Sequence, residues 1–428
     1  MSDDLVALLG DEVVGRLRRD RRSKLSFAYD DRWRRAQNAY PLSLSLPLAR
    51  AEHGHDVVDA FLWNLLPDNE VILDRWARRF QASARNPHAL IAAVGEDCAG
   101  AVRFVSEDRL GALVAASAGT IEPLDEHAIA ERLRALGRDA SAWRTVDDAG
   151  QFSLAGAQPK TALWFDGKSW GMPSGRTPTT HILKPGAAGL DGHAENEHFC
   201  LALASELGLV AARSSVMRFE EQAAIVVERY DRLVTPRGLV RVHQEDTCQA
   251  LGVPPTRKYE NEGGPGVTAI ATLLRTHSRA VDDDVAAFVD ALAFNWLIAG
   301  TDAHAKNYSL LIGAGGTIRF APLYDVASAL PYDEMQFQKL KLAMKIGDKY
   351  RVRDVGRYEW SKLAGHVGYD IERVRSRVAE LATALPDVAT KLRKSCRRDG
   401  LTHPILKRLE IALCERATRC AAAMGAAA

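Results

Sequence analysis

The stretch that most constrains this chain is Thr301-Asp302-Ala303-His304-Ala305-Lys306-Asn307-Tyr308-Ser309-Leu310-Leu311, taken with Pro322-Leu323-Tyr324-Asp325-Val326. A carboxylate and a carboxamide stand five residues apart ahead of a short apolar run. A second carboxylate follows a Gly-rich turn, after Ile318 and Phe320. An Asp that accepts a hydroxyl proton, an Asn that holds a metal and a further Asp that bridges metal to phosphates have this spacing in phosphoryl transfer. Asp-x-x-x-x-Asn alone arises often by chance. It gains weight only if the chain before it supplies a phosphate-facing loop and a lysine.

Two stretches offer them. Phe152-Ser153-Leu154-Ala155-Gly156-Ala157-Gln158-Pro159-Lys160-Thr161-Ala162-Leu163-Trp164-Phe165 reads as strand, tight turn, strand. Its small residues at 155–157 let backbone amides approach an anion, although a plain hairpin fits equally well. His181-Ile182-Leu183-Lys184-Pro185 reads as a strand ending in a lysine beside the Gly-rich loop 186–192. A lysine here stands where a kinase puts its phosphate-binding lysine, although most strand-end lysines are merely exposed, and a glutamate at the start of the next helix, near 195–197, could pair with it.

The remaining pattern sorts into halves. Before residue 232 it is rich in strands: 101–105, 216–219 and 224–232, with alternation between the prolines at 41–48 predicting another. Helices are expected over 57–80 with a break at Pro67, over 87–94, and from 121–125 onward. Behind residue 232 the periodicity is helical, at 243–252, 267–277, 282–299, 369–384 and 403–424. This predicts an α+β chain with a β-rich N-terminal lobe, an extra N-terminal subdomain and an all-helical C-terminal lobe. The expected domains are 1–115, 116–232 and 233–428, reasonable for 428 residues.

Composition excludes more than it selects. Lys plus Arg (56) nearly cancels Asp plus Glu (55), so global charge names no polyanionic partner. Two basic clusters, Arg16 to Lys24 and Lys391 to Arg398, read as solvated faces or as contacts for nucleic acid or an acidic partner. Six scattered cysteines lack disulfide or zinc spacing. No apolar window is long enough to span a bilayer, and no leader is evident, so a cytoplasmic protein is expected.

Together these segments resemble the HipA family of bacterial toxin serine/threonine kinases. The resemblance includes Leu25-Ser26-Phe27-Ala28-Tyr29, Pro41 to Pro47, Phe61 to Pro67 and Gly95 to Val102. It continues through Ser153 to Leu163, Glu228-Arg229-Tyr230-Asp231-Arg232, His243-Gln244-Glu245-Asp246, Lys258-Tyr259-Glu260, Gly263-Gly264-Pro265-Gly266 and the two opening segments.

The resemblance implies Asp302 as catalytic base and Asn307 with Asp325 as Mg²⁺ ligands. It implies Ala155, Gly156, Ala157, Gln158, Pro159 and Lys160 as phosphate loop, Lys184 as phosphate lysine, and Glu228, Arg229 and Tyr230 as adenine-contacting hinge. His304 and Tyr324 fall beside the nucleotide site. Ser153 matches a serine whose autophosphorylation expels the loop and switches the kinase off. ATP and Mg²⁺ are the implied cofactors. The implied partners are a HipB-like antitoxin dimer, with operator DNA reached through it or through the basic patches, and an aminoacyl-tRNA synthetase substrate, glutamyl-tRNA synthetase in the best-known case. A corepressor with secondary kinase activity is the alternative, and a lipid or small-molecule kinase a weaker one.

Overall fold

The computed structural model describes residues 4–115, 119–139, 152–187, 189–236 and 238–425, which form two compact units. One comprises Met1–Pro185, Arg218–Thr256 and Leu310–Ile318; the other comprises Gly186–Met217, Arg257–Ser309 and Arg319–Ala428.

In the first unit, Leu5–Leu9 is buried at every position because both faces of its sheet are covered. Leu5, Ala7 and Leu9 face one core with Phe61, Ile72, Trp76 and Leu90, whereas Val6 and Leu8 face Val105 and Leu113. This antiparallel sheet has the order Glu52–His53, Leu25–Tyr29, Glu12–Arg19, Leu5–Leu9, Val102–Ser106. The helices His55–Leu65, Glu70–Arg79 and Pro87–Val94 carry apolar faces toward the larger core. Asn69 and Asn86 start the last two by accepting backbone N–H groups in their first turns.

A second sheet has the order Ser214–Phe219, Gln222–Glu228, His181–Pro185, Thr161–Phe165, Trp170–Ser174, Thr120–Leu124. It places Lys184 inside the sheet, opposite Ile225.

The second unit is organised by the helix Val281–Ile298, whose side chains are buried over most of its length. Trp296 meets Trp360 edge-on, with centroids 5.6 Å apart, and the Trp296 carbonyl accepts from the Arg416 guanidinium at 2.7 Å. The helices His193–Glu206, Val267–His277, Arg357–Val367, Ile371–Arg398 and Ile405–Met424 complete it.

Several expectations need correction. Residues 41–48 make no strand, only an isolated bridge from Ser43 to Leu46. The prolines remove ladder donors, and side-chain partners claim the segment instead: Leu42 N–H donates to the Tyr29 hydroxyl at 2.8 Å. Thr120–Leu124 is a strand, and the helix Glu126–Arg138 begins only after Asp125 caps it. Residues 152–160 are irregular apart from isolated bridges at Phe152 and Gly156, so only the second strand of the expected hairpin forms. His243–Asp246 is also a strand, followed by a single helical turn, Thr247–Ala250, closed by an Asp246/Gln249 capping box.

The rear of the chain is not all-helical, since Lys341–Ile346 and Lys349–Arg351 pair as a hairpin. The expected helix ending at 384 instead runs through Pro386 to Arg398. Packing against Ile405–Met424 outweighs the hydrogen bond that proline forfeits.

Glu245, fully enclosed in the first unit, links residues 42–46 to the segment 243–249. Leu44 N–H donates to its carboxyl at 2.8 Å, and Ser43 Oγ lies 2.5 Å from the carboxyl and 3.3 Å from the Gln249 carbonyl. Ser43 and Leu44 both donate to the carboxyl and favour its ionised form, but burial outweighs them. Burial pushes the Glu245 carboxyl from 4.5 up to about 8. The folded chain therefore holds a proton that the unfolded chain releases between those values, and stability falls as pH rises across that window. Glu245→Gln keeps a hydrogen-bonding side chain that does not titrate. Urea unfolding at pH 5, 7 and 9 should show the variant gaining on the wild type as pH rises; parallel pH dependences would refute the assignment.

Candidate functional site

In the second unit, the buried helix Val281–Ile298 ends at Ala299 in the left-handed region (φ 52°), turning the chain sharply into Thr301 and Asp302. The Asp302 carbonyl then accepts from His304 N–H at 2.8 Å and from Asn307 Nδ2 at 3.1 Å. Its carboxylate is exposed, and Oδ1 accepts from the Tyr259 hydroxyl at 2.6 Å.

Asn307, itself buried, also directs Nδ2 toward the Asp325 carbonyl at 3.5 Å. With Nδ2 engaged by two carbonyls, Oδ1 is the atom left to act as a metal ligand. Asp325 takes φ 58°, a left-handed backbone that costs roughly 1–3 kcal/mol for a non-glycine residue and persists only where its surroundings enforce it.

The neighbouring Tyr324 supplies part of that enforcement. Its hydroxyl donates to the Lys306 carbonyl and lies 2.7 Å from Ser309 Oγ, so it fastens the Asp325 segment to the Asp302 loop. The engaged hydroxyl makes Tyr324 a clamp between these two segments.

The donor set suits a hard cation. Asn307 Oδ1 and the exposed Asp325 carboxylate are oxygen donors, and no cluster of three His, Cys, Asp or Glu residues able to hold a metal occurs among the described residues. An ion here would take its other ligands from phosphate and water, as Mg²⁺ does.

In the first unit, the 153–160 segment is folded inward. Ser153 N–H donates to the Asp97 carbonyl at 3.0 Å, and its hydroxyl, wholly buried, donates to the Leu65 carbonyl at 2.7 Å. Pro67 and Gly156 form a parallel bridge, and Lys160 Nζ donates to the Ala155 carbonyl at 2.6 Å. At Gly156 (φ 105°) a Cβ would lie 2.5 Å from that Nζ, so the turn closes only around glycine. Gln158 Nε2 reaches the Pro185 carbonyl at 3.4 Å, one residue past Lys184. Ala157 is exposed, Pro159 half-buried, and Lys184 buried.

Of the expected hinge, Glu228 is exposed and Tyr230 half-buried, but Arg229 is committed elsewhere. Its guanidinium bonds Asp231 at 2.8 and 3.0 Å, the Cys98 carbonyl at 2.8 Å and Thr179 at 2.8 Å. Its backbone N–H donates to Thr180. No donor of Arg229 is left in position for adenine, so its role is structural. Arg232 and Arg241 complete the cluster on Asp97, at 2.9 and 3.1 Å. Burial opposes ionisation of Asp97, yet the three arginines hold its carboxyl well below the usual range.

Sequence reasoning missed Asp97, Arg241 and Tyr259 as organising residues. Arg241 showed no signal, whereas Asp97 and Tyr259 lie within segments that carried the family resemblance.

Residues 5–105 match the family model described as HipA N-terminal domain, and residues 152–389 match the HipA-like C-terminal domain. The chain is 35% identical over 386 residues to "Putative kinase Y4mE" of Sinorhizobium fredii, covering 89% of each chain. It is 31% identical over 400 residues to "Serine/threonine-protein kinase toxin HipA" of Shewanella oneidensis, covering 90% of this chain and 88% of that one. A solved structure of Shewanella oneidensis HipA, with HipB and its operator DNA, superimposes with a TM-score of 0.82 and 27% identity over 98% of both chains.

Tyr324→Phe removes only the hydroxyl that clamps the Lys306 carbonyl. Its unfolding free energy in urea should fall by about 1–2 kcal/mol, the cost of a lost bond to a sheltered acceptor. A change of a few tenths or less would show that the clamp does not hold in solution.

Proposed function

The chain belongs to the HipA family, and from that premise we propose that it is a serine/threonine protein kinase transferring the γ-phosphoryl group of ATP to a protein hydroxyl. The observation that carries this reading is the junction of Asp302, Asn307 and Asp325, in which one carboxamide nitrogen bonds the carbonyls of both aspartates.

Asp302 orients the attacking hydroxyl and takes its proton as the new P–O bond forms and the bond to the β-phosphate oxygen breaks, releasing ADP. Asn307 and Asp325 hold Mg²⁺, which when bound offsets charge on the phosphates. Lys184 and the backbone N–H groups of the Ala155 to Lys160 loop, all but Pro159, stabilise phosphate oxygens, and the backbone at Glu228 and Tyr230 receives adenine. His304 borders the site, its ring against Tyr259. Catalysis in such a site rests on positioning and electrostatics.

Ser153 is the proposed autophosphorylation site. Its hydroxyl is wholly buried and donates to the Leu65 carbonyl, an acceptor that would oppose a phosphate bearing about −1.5 to −2 charges in the same place. The modified residue would therefore leave, breaking the Pro67–Gly156 and Asp97–Phe152 bridges and dismantling the phosphate loop. The proposed setting is a toxin–antitoxin module with a HipB-like antitoxin and an aminoacyl-tRNA synthetase, such as glutamyl-tRNA synthetase, as substrate, leading to growth arrest.

A second reading, corepression at operator DNA, draws on the Shewanella complex and on the exposed Arg19, Arg21, Arg22 and Lys24 and Lys391, Lys394, Arg397 and Arg398. It survives loss of Asp302, whereas the kinase reading does not.

With γ-labelled ATP, Mg²⁺ and a bacterial lysate, wild type should label its own Ser153 and a lysate protein. Asp302→Asn should label neither while still binding ATP. Ser153→Ala should label only the lysate protein. Undiminished labelling by Asp302→Asn would remove the proposed base.

A further inference from the structure

Lys258-Tyr259-Glu260 and the glycines that follow belong to the sequence pattern but have no part in the chemistry described so far. The Tyr259 hydroxyl donates to Asp302 Oδ1 at 2.6 Å, within the short range of a hydrogen bond to an ionised oxygen. It is the one hydrogen bond found for that side chain among the described residues. The backbone of Asp302 is fixed by His304 N–H and Asn307 Nδ2, but its carboxylate is exposed and would otherwise turn freely.

Tyr259 is itself held without help from Asp302. Its ring meets His304 edge-on, with centroids 5.0 Å apart and planes at 85°, and Lys258 Nζ lies 5.7 Å from the ring centroid. Lys258 accepts Ala305 N–H at 3.2 Å, and the Tyr259 carbonyl accepts Gly264 N–H at 2.9 Å. Glu260 accepts Lys345 N–H at 2.6 Å. A Cβ at Gly264 would lie 2.0 Å from the Arg257 carbonyl, so the turn packs this tightly only around glycine.

We propose that Tyr259 is a positioning residue for phosphoryl transfer: its hydroxyl holds Asp302 by Oδ1 so that Oδ2 is presented to the incoming serine or threonine hydroxyl. The inference rests on Asp302 being the base. A carboxylate has acceptor sites enough for both partners, so Tyr259 restrains Asp302 without disabling it. Since a misaligned catalytic group loses rate steeply, the hydroxyl should matter to the chemical step and not to ATP binding.

The test measures label transfer from γ-labelled Mg·ATP to a size-tagged D302N chain, which offers an unmodified Ser153 as acceptor. Y259F retains the ring that packs on His304 and loses only the hydroxyl. The limiting rate should fall about ten-fold, with KM for ATP changed by less than about two-fold and thermal midpoint preserved. A limiting rate equal to wild type would overturn the proposal. So would a loss accompanied by a raised KM and a lowered midpoint, because that pattern marks a scaffold residue. Absence of label with wild type shown by mass to carry no phosphate on Ser153 would instead strike down the phosphotransfer reading beneath it, so the two failures stay distinct.

Discussion

The first unit depends on one buried carboxylate. Asp97 gathers Arg229, Arg232 and Arg241 on its side chain, takes two bonds from Thr179, and gives its backbone carbonyl to Ser153. Three guanidinium groups and two carboxylates, Asp97 and Asp231, are withdrawn from water together. Such a cluster survives only when nearly every donor is matched, since removing one member of a buried pair typically costs about 3–5 kcal/mol. Its value lies in geometry: it ties residues 97–100 to 179 and to 229–241, so the strand end at Glu228 and the loop at Ser153 share one anchor.

The second unit solves its positional problem with backbone strain and phenol hydroxyls. Ala299 and Asp325 both take left-handed φ values that non-glycine residues seldom adopt. The first swings the chain off a buried helix into Asp302, and the second turns it at a proposed metal ligand. Tyr324 and Tyr259 supply restraint where regular structure ends, each through a rigid ring with a single donor. Neither residue needs to meet a substrate to matter, because a loop carrying an exposed carboxylate has few other ways to limit its rotamers.

Strong periodicity made much of this fold legible. The helices at 55–65, 87–94, 267–277 and 281–298 followed from apolar spacing, and the strand His181–Pro185 from its apolar run. The alternation at 41–48 misled because side-chain partners, Tyr29 and Glu245 among them, satisfied backbone groups that a ladder would otherwise use. Pro386 misled because packing against a neighbouring helix does not show in local sequence. At the proposed site, the junction of Asp302, Asn307 and Asp325 could be marked in the sequence because loop chemistry imposes such a spacing. Arg229 was misread for the opposite reason: a buried and an exposed arginine look alike in sequence, and only Asp97, 132 positions earlier, distinguishes them.

The placement of Ser153 draws these strands together. Its segment is held by backbone bonds to Asp97 and Asp68, by the Ser153 hydroxyl on the Leu65 carbonyl, by a lysine turned onto its own loop, and by Phe152 and Leu154, which are buried in the core on either side of it. Backbone bonds of this kind contribute about 1 kcal/mol each, whereas an uncompensated phosphate in the same place would cost several times their sum. The anchor at Asp97 is held separately, by the three arginines on its side chain. In the proposed cycle, the Asp97 anchor and the loop meet at Ser153, so a phosphate there would have to overcome the loop's backbone bonds together with the burial of Phe152 and Leu154.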